Sequence, residues 1–368
     1  MQSPPGPEVV IDGVNYLYFG GTSYLGLAEH PSVIEAGCEA LRQYGVHTGT
    51  SRARYGNSPV VLAVEERAAE YFGTESAFYF SSGYMTNHIL VSAVGAGCDA
   101  VLVDGSAHYC VVEAAELGGV PIFPIEFGNL DQIQEKISGF KNVLLMCDAV
   151  GPATGVTAPV QAYADVLRSV ERATLLLDDA HGFGVLGPNG RGLLDELGLW
   201  DRANGGKDLD GVSLVTGGTL SKALGGLGGV VPGKQSFVER VKQASHYFDG
   251  ASAPGSAAAG STLKALEILL HDPALRQQLQ SNVAMVREGL RNLGVEVPEG
   301  KTANFGVSIG SSSNMQRIHQ SLLDRGILLP YMDAYSGIPK EGVLRFAIFG
   351  THTPEQCARL LGEIAAVL

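Results

Sequence analysis

The chain has 368 residues, 45% of them hydrophobic and 17% charged, with a formal net charge of −13. That length admits two or three lobes, and an acidic balance without any Lys/Arg run argues against nucleic acid or an anionic membrane as partner. Five cysteines without a CxxC pair, a start without a basic and apolar leader, and no apolar run near the roughly 18 residues of a membrane span together give the expectation of a cytoplasmic protein with reduced thiols.

In chain order, "SPVVLAVEERAAEYFG" reads as a helix with Val61, Val64, Ala68 and Tyr71 on one face. Seven short apolar runs then follow at 77–80, 100–103, 121–125, 143–147, 174–178, 213–216 and 229–232, near-continuous as in strands buried on both faces. Stretches of helical spacing such as "LDQIQEKISG" and "VQAYADVLRSVE" lie between them, so the sheet should be mostly parallel. The link from Thr216 to Gly229 is short for a helical crossover, which predicts an antiparallel last strand. After about Gly260 the chain turns strongly helical, with shorter strands near "NFGVSI" and "VLRFAIF". The fold expected is α/β: a mostly parallel seven-stranded central sheet in a large domain of residues 46–255, and a smaller α+β domain made of 256–368 and completed by 1–45.

Ligands of open α/β sheets bind beyond the carboxyl ends of the strands. Ser82, Gly83 and Tyr84 stand there at a helix start that suits a phosphate, although Ser82 alone also reads as a simple helix cap. Thr219 and Lys222 form T-x-x-K, without the Gly-Lys-Ser/Thr ending of a P-loop, and the glycines around Lys222 suggest room kept for a ligand. "LLLDDAHGFG" puts Asp178, Asp179 and His181 at one strand end, where a metal site competes with a carboxylate that holds a cationic ring nitrogen. His108 follows the 100–103 run and read alone is a polar loop residue; Arg345 read alone is a surface strand arginine. Pyridoxal phosphate is the one ligand that would use a Schiff-base lysine, an Asp for its ring nitrogen, an aromatic plane and a helix N-terminus for its phosphate.

The segments "LYFGGTSYLGL", "SRARYGN", "FSSGYMTN", "DGSAHYC", "LLLDDAHGFGVLGPNGRG" and "TLSKALGG" resemble, in that order, those of the α-oxoamine synthases, fold-type-I pyridoxal-phosphate enzymes. The resemblance implies that Lys222 forms the Schiff base, Asp178 contacts the pyridine nitrogen, His181 touches the ring hydroxyl and His108 stacks on the ring. It further implies that Thr219, with Ser82, Gly83 and Tyr84, holds the phosphate, that Arg345 takes the amino-acid carboxylate, that no metal is used and that the enzyme is a homodimer. The activity implied is decarboxylative condensation of an amino acid with an acyl thioester. Aminotransfer on the same cofactor and a non-catalytic subunit are the other readings, and the intact Lys222 speaks against the last. Four segments depart from the family pattern: Pro152 replaces a hydroxyl donor, Val343 an arginine, "TSYLG" an earlier motif, and "FDGASAPG" keeps only Ser252 of a hydroxyl-rich stretch while adding Asp249. These predict weak affinity for acyl-CoA, or a different donor such as a carrier-protein thioester or a 2-oxo acid.

Overall fold

The computed structural model describes residues 1–368. The chain opens with an antiparallel ribbon, β1 (Glu8–Ile11) and β2 (Val14–Tyr18). Asp12 and Gly13 between them both take positive φ, 51° and 79°, as a tight two-residue hairpin turn requires. Two helices follow, α1 (Pro31–Tyr44) and α2 (Pro59–Phe72), and α2 buries Val61, Val64, Ala68 and Tyr71 as its spacing predicts.

All seven apolar runs form strands of one sheet: β3 (Ser76–Phe80), β4 (Ala100–Asp104), β5 (Ile122–Ile125), β6 (Asn142–Asp148), β7 (Arg172–Asp178), β8 (Val212–Thr219) and β9 (Gly229–Gly233). Their order is β3-β9-β8-β7-β6-β4-β5. The pairs among β4 to β8 are parallel, whereas β9 runs antiparallel to both β8 and β3. The link 220–228 cannot hold a crossover helix, so the chain has to turn straight back. Among the connections, α3 (Thr86–Val94), α4 (Tyr109–Ala115), α5 (Leu130–Ile137) and α6 (Val160–Leu167) present apolar faces to the sheet. The outermost strand β5 tolerates Pro124 because an edge has a free side for the missing N–H. After β4 the chain goes to one side for β5 and returns to the other for β6, which opens a crevice beyond the strand ends.

Two smaller sheets complete the molecule. In the first, β11 (Ile327–Leu328) lies parallel to β2; in the second, β13 (Val343–Ala347) lies between β10 (Asn304–Val307) and β12 (Tyr331–Met332). The N-terminal ribbon therefore shares a sheet with the C-terminal part. The long helical stretch from Ser256 is two helices, Ser256–His271 and Ala274–Asn292, broken at Pro273, which disfavours helical backbone in the residue before it. The first packs on α1 so closely that a Cβ at Gly260 would lie 2.5 Å from the Ala36 carbonyl oxygen and from Ala40 Cβ. No helix is long and apolar enough to cross a membrane.

Candidate active site

Parallel register brings the ends of β6, β7 and β8 side by side: Asp148 pairs with Asp178, and Asp178 with Gly217. Beyond these ends lies a cavity of about 280 Å³, lined among others by Gly83, His108, Asp178, His181, Thr219 and Lys222. A second chamber of about 360 Å³ shares Thr22, His108, His181 and Lys222 with the first and extends to Pro152, Tyr335 and Arg345. Lys222 and His181 thus stand at the junction of two spaces. All nine residues expected from the sequence (Ser82, Gly83, Tyr84, His108, Asp178, His181, Thr219, Lys222 and Arg345) line one chamber or the other.

Lys222 reaches this junction because β8 stops at Thr219. The Thr219 hydroxyl donates to the Gly228 carbonyl at 2.8 Å and accepts from the Ser221 amide at 3.0 Å, closing the loop on itself. The glycines after Lys222 do not make room for a ligand. Gly225 and Gly228 have φ of 70° and 114°, and a Cβ on either would collide with Leu27 or with the Phe80 carbonyl. They let the loop pack against the protein, and none lines the cavity.

The Lys222 amine has a histidine as partner: Nζ lies 2.7 Å from His181 Nε2. Burial pushes the Lys222 pKa down. Burial also holds His181 well below its ordinary value, with the Lys222 and Arg345 charges acting in the same direction. On its other side His181 Nδ1 lies 2.7 Å from the Tyr24 hydroxyl. Opposite stands Asp178, 4% exposed. One of its oxygens accepts from Asn87 at 2.6 Å and the other from the Ala180 amide at 3.0 Å, and no lysine, arginine or histidine of the chain pairs with it.

At the other end of the cavity, Ser82 caps a short turn leading into α3 by accepting from the Tyr84 amide at 3.3 Å, so it is both cap and cavity wall. A Cβ at Gly83 would stand 2.5 Å from Thr219 Cβ; only glycine brings this turn so near β8. His108 caps α4, and its backbone N–H donates to Asp148 at 2.6 Å. Burial, with Asp178 adding to it, pushes the Asp148 carboxyl well above the usual carboxylate range. Tyr335 and Tyr109 stand beside His108, with ring centroids 6.3 and 5.9 Å from it.

Two alternatives left open by the residues read singly fall away. The Asp178-Asp179-His181 cluster is split: Asp179 turns away, accepts from the Leu193 amide at 2.6 Å, and is raised to about 7 by burial. Arg345 is not a surface residue. It is 8% exposed and donates to the carbonyls of Pro152 at 2.9 Å and Gly21 at 3.1 Å. Pro152, read as a lost hydroxyl, supplies a carbonyl that aims the guanidinium. Asp249 is exposed and lies 3.4 Å from His246. The sequence reading assigned no role to Thr22, Tyr24, Asn87 or Asp148. Asp148 closes the run "VLLMC" as Asp178 closes "TLLL", and that parallel was the available signal.

Residues 15–364 match the family model described as aminotransferase class I and II. The chain is 34% identical over 368 residues to the 8-amino-7-oxononanoate synthase of Pseudomonas entomophila, covering 99% of this chain and 91% of that protein. It is 30% identical to the enzyme of the same name from Cellvibrio japonicus, covering 100% and 90%. Among solved structures, a serine palmitoyltransferase from S. paucimobilis with bound PLP and myriocin superposes with a TM-score of 0.87 at 26% identity, covering 100% of this chain and 91% of that one.

Proposed function

The chain belongs to the class I and II aminotransferase family and, within it, to the α-oxoamine synthases, pyridoxal-phosphate enzymes that condense an amino acid with an acyl thioester, and we propose that the two chambers divide this work between cofactor and substrate. The observation that carries the proposal is the pairing of a half-buried amine at a neutral histidine with a buried carboxylate that has no cation of its own.

That donor set fits pyridoxal phosphate. Lys222 offers a nucleophilic amine, Asp178 the negative charge for a protonated ring nitrogen, and His181 an N–H for the ring oxygen. His108 covers the ring. The turn at Ser82, Gly83 and Tyr84, with the Thr219 side chain beside it, would take the phosphate. When bound, the cofactor supplies an electron-withdrawing ring that stabilises negative charge on the substrate Cα. Arg345 holds the substrate carboxylate in the second chamber, fixed by two backbone carbonyls and the Tyr24 hydroxyl, with N–H groups left over for the ligand. Lys222, at the junction, moves the Cα proton. Tyr335, beside His108, lines that side of the second chamber.

The finer points rest on the same reading. The large and small domains are residues 46–255 and, together, 1–45 and 256–368. The working form is a homodimer in the cytoplasm, and acyl-CoA is the donor, its hold weakened by the exposed negative charge of Asp249. The experiment is borohydride reduction of the pyridoxal-phosphate-loaded protein, with peptide mapping, followed by glycine, alanine or serine with acyl-CoA. Label on Lys222 and release of free thiol are expected. Label elsewhere refutes the site, and amino transfer to a 2-oxo acid without thiol release refutes the condensation.

A further inference from the structure

A chain of hydrogen bonds joins the two chambers from the inside. Arg345 Nη2 lies 3.5 Å from the Tyr24 hydroxyl, that hydroxyl 2.7 Å from His181 Nδ1, and His181 Nε2 2.7 Å from Lys222 Nζ. Tyr24 is fully buried. Its direction can be read from one end, because a guanidinium has N–H groups only and cannot accept. Arg345 therefore donates into the Tyr24 oxygen, and the hydroxyl proton needs an acceptor of its own. His181 Nδ1 is the acceptor within reach. Nδ1 must then be unprotonated, and a neutral imidazole with a free Nδ1 carries its proton on Nε2. That N–H points at Lys222, whose amine can accept it only as the free base. The depressed pKa values of His181 and Lys222 agree with this arrangement.

We propose that Tyr24 is a positioning residue that fixes the tautomer of His181 and, through it, keeps Lys222 a free amine ready for the cofactor's carbonyl carbon. The proposal deepens the functional reading above and rests on it for the role of Lys222. Arg345 supplies the direction: the guanidinium assigned to the substrate carboxylate also orients the hydroxyl that sets the cofactor end. Tyr24 has no contact with the reacting atoms and acts through His181 alone.

The test is nitrogen NMR of the full-length chain with ¹⁵N-labelled imidazoles, before and after loading with pyridoxal phosphate, the His181 signals being assigned by their loss in His181→Gln. At neutral pH the cofactor-free wild type should show an unprotonated Nδ1 and a protonated Nε2. In Tyr24→Phe, which keeps the ring and removes the hydroxyl, the two nitrogens should move toward a mixture of tautomers. Uptake of pyridoxal phosphate, followed by absorbance, should slow by roughly fivefold, about what one ordinary hydrogen bond is worth. A wild-type His181 protonated on Nδ1, or an unchanged nitrogen pattern in Tyr24→Phe, overturns the proposal. If the variant does not fold, the wild-type pattern alone decides. Borohydride labelling of Lys222 in the wild type separates such a failure from a failure of the functional reading, because the tautomer is measured without cofactor.

Discussion

Replacing Asp178 by asparagine removes one negative charge from the cavity and leaves its shape nearly intact. The carboxylate accepts from the Ala180 amide at 3.0 Å and from the Asn87 amide at 2.6 Å, while Asn87 Oδ1 has no partner. In Asp178→Asn the new carbonyl oxygen keeps the Ala180 bond. Asn87, turned over, offers its idle oxygen to the new NH₂ but gives up its bond to Cys110 Sγ at 3.4 Å, and the Cys110 thiol loses the carboxylate oxygen it reaches at 3.6 Å, so folding stability should fall by about 1–3 kcal/mol. The chemistry has no such substitute. A carboxylate on a cationic ring nitrogen is a charge-assisted bond worth about 1.5–3 kcal/mol, and at about 1.4 kcal/mol per factor of ten its loss slows Cα-proton removal roughly 10- to 150-fold. The assay is exchange of the substrate Cα proton in deuterated water, read by proton NMR, with cofactor content and melting temperature measured on the same samples. A variant that binds cofactor and exchanges at the wild-type rate would show that Asp178 does not hold the ring nitrogen.

Gly83→Ala places a methyl 2.5 Å from Thr219 Cβ; overpacking of this kind costs about 1–3 kcal/mol, and pyridoxal phosphate should bind more weakly by titration, with unchanged affinity counting against the phosphate turn. Asp179 gives a pH signature: burial raises it from 3.8 to about 7, so across that window the folded chain holds a proton the unfolded chain has released, and stability falls as pH rises. At 1.36 kcal/mol per unit the loss is on the order of 4 kcal/mol; Asp179→Asn should escape it, so its melting temperature should gain on the wild type between pH 4 and 8, and a constant difference would refute the assignment. Asp249→Ser should lower the KM for acyl-CoA at low ionic strength, with the gain fading as salt screens the site; equal KM values at low salt would remove Asp249 from the donor's path.

The central sheet was legible because its strands are buried on both faces and so read as unbroken apolar runs, and because the link 220–228 is too short for anything but a reversal. The residues assigned from strand ends were legible for the same reason: a strand that stops at Asp178 or Thr219 delivers that residue to the edge where ligands bind. What escaped the reading depends on register or on distant segments. Asp148 comes level with Asp178 only through the β6–β7 pairing, and Tyr24 meets His181 only once the N-terminal segment has folded over the sheet. The metal alternative at Asp178, Asp179 and His181 could have been discounted from the sequence, since neighbouring residues at a strand end face opposite ways and Asp178 and Asp179 cannot both look into one cavity. The glycines after Lys222 misled because packing against a carbonyl and making room for a ligand leave the same letter in the sequence.

The grip on Arg345 has a consequence in time. Its two carbonyl partners belong to Gly21 and Pro152, so this corner of the molecule joins the start, the middle and the end of the chain. Every cofactor-facing residue from Ser82 to Lys222 leaves the ribosome earlier, with roughly 120 residues still to be translated before Arg345, an interval of about 6–25 s at ordinary elongation rates. A nascent chain in that interval has the cofactor-facing side chains but lacks the guanidinium that both recognises an amino acid and orients Tyr24. The gene thus makes the reactive amine first and the guanidinium that selects its substrate last.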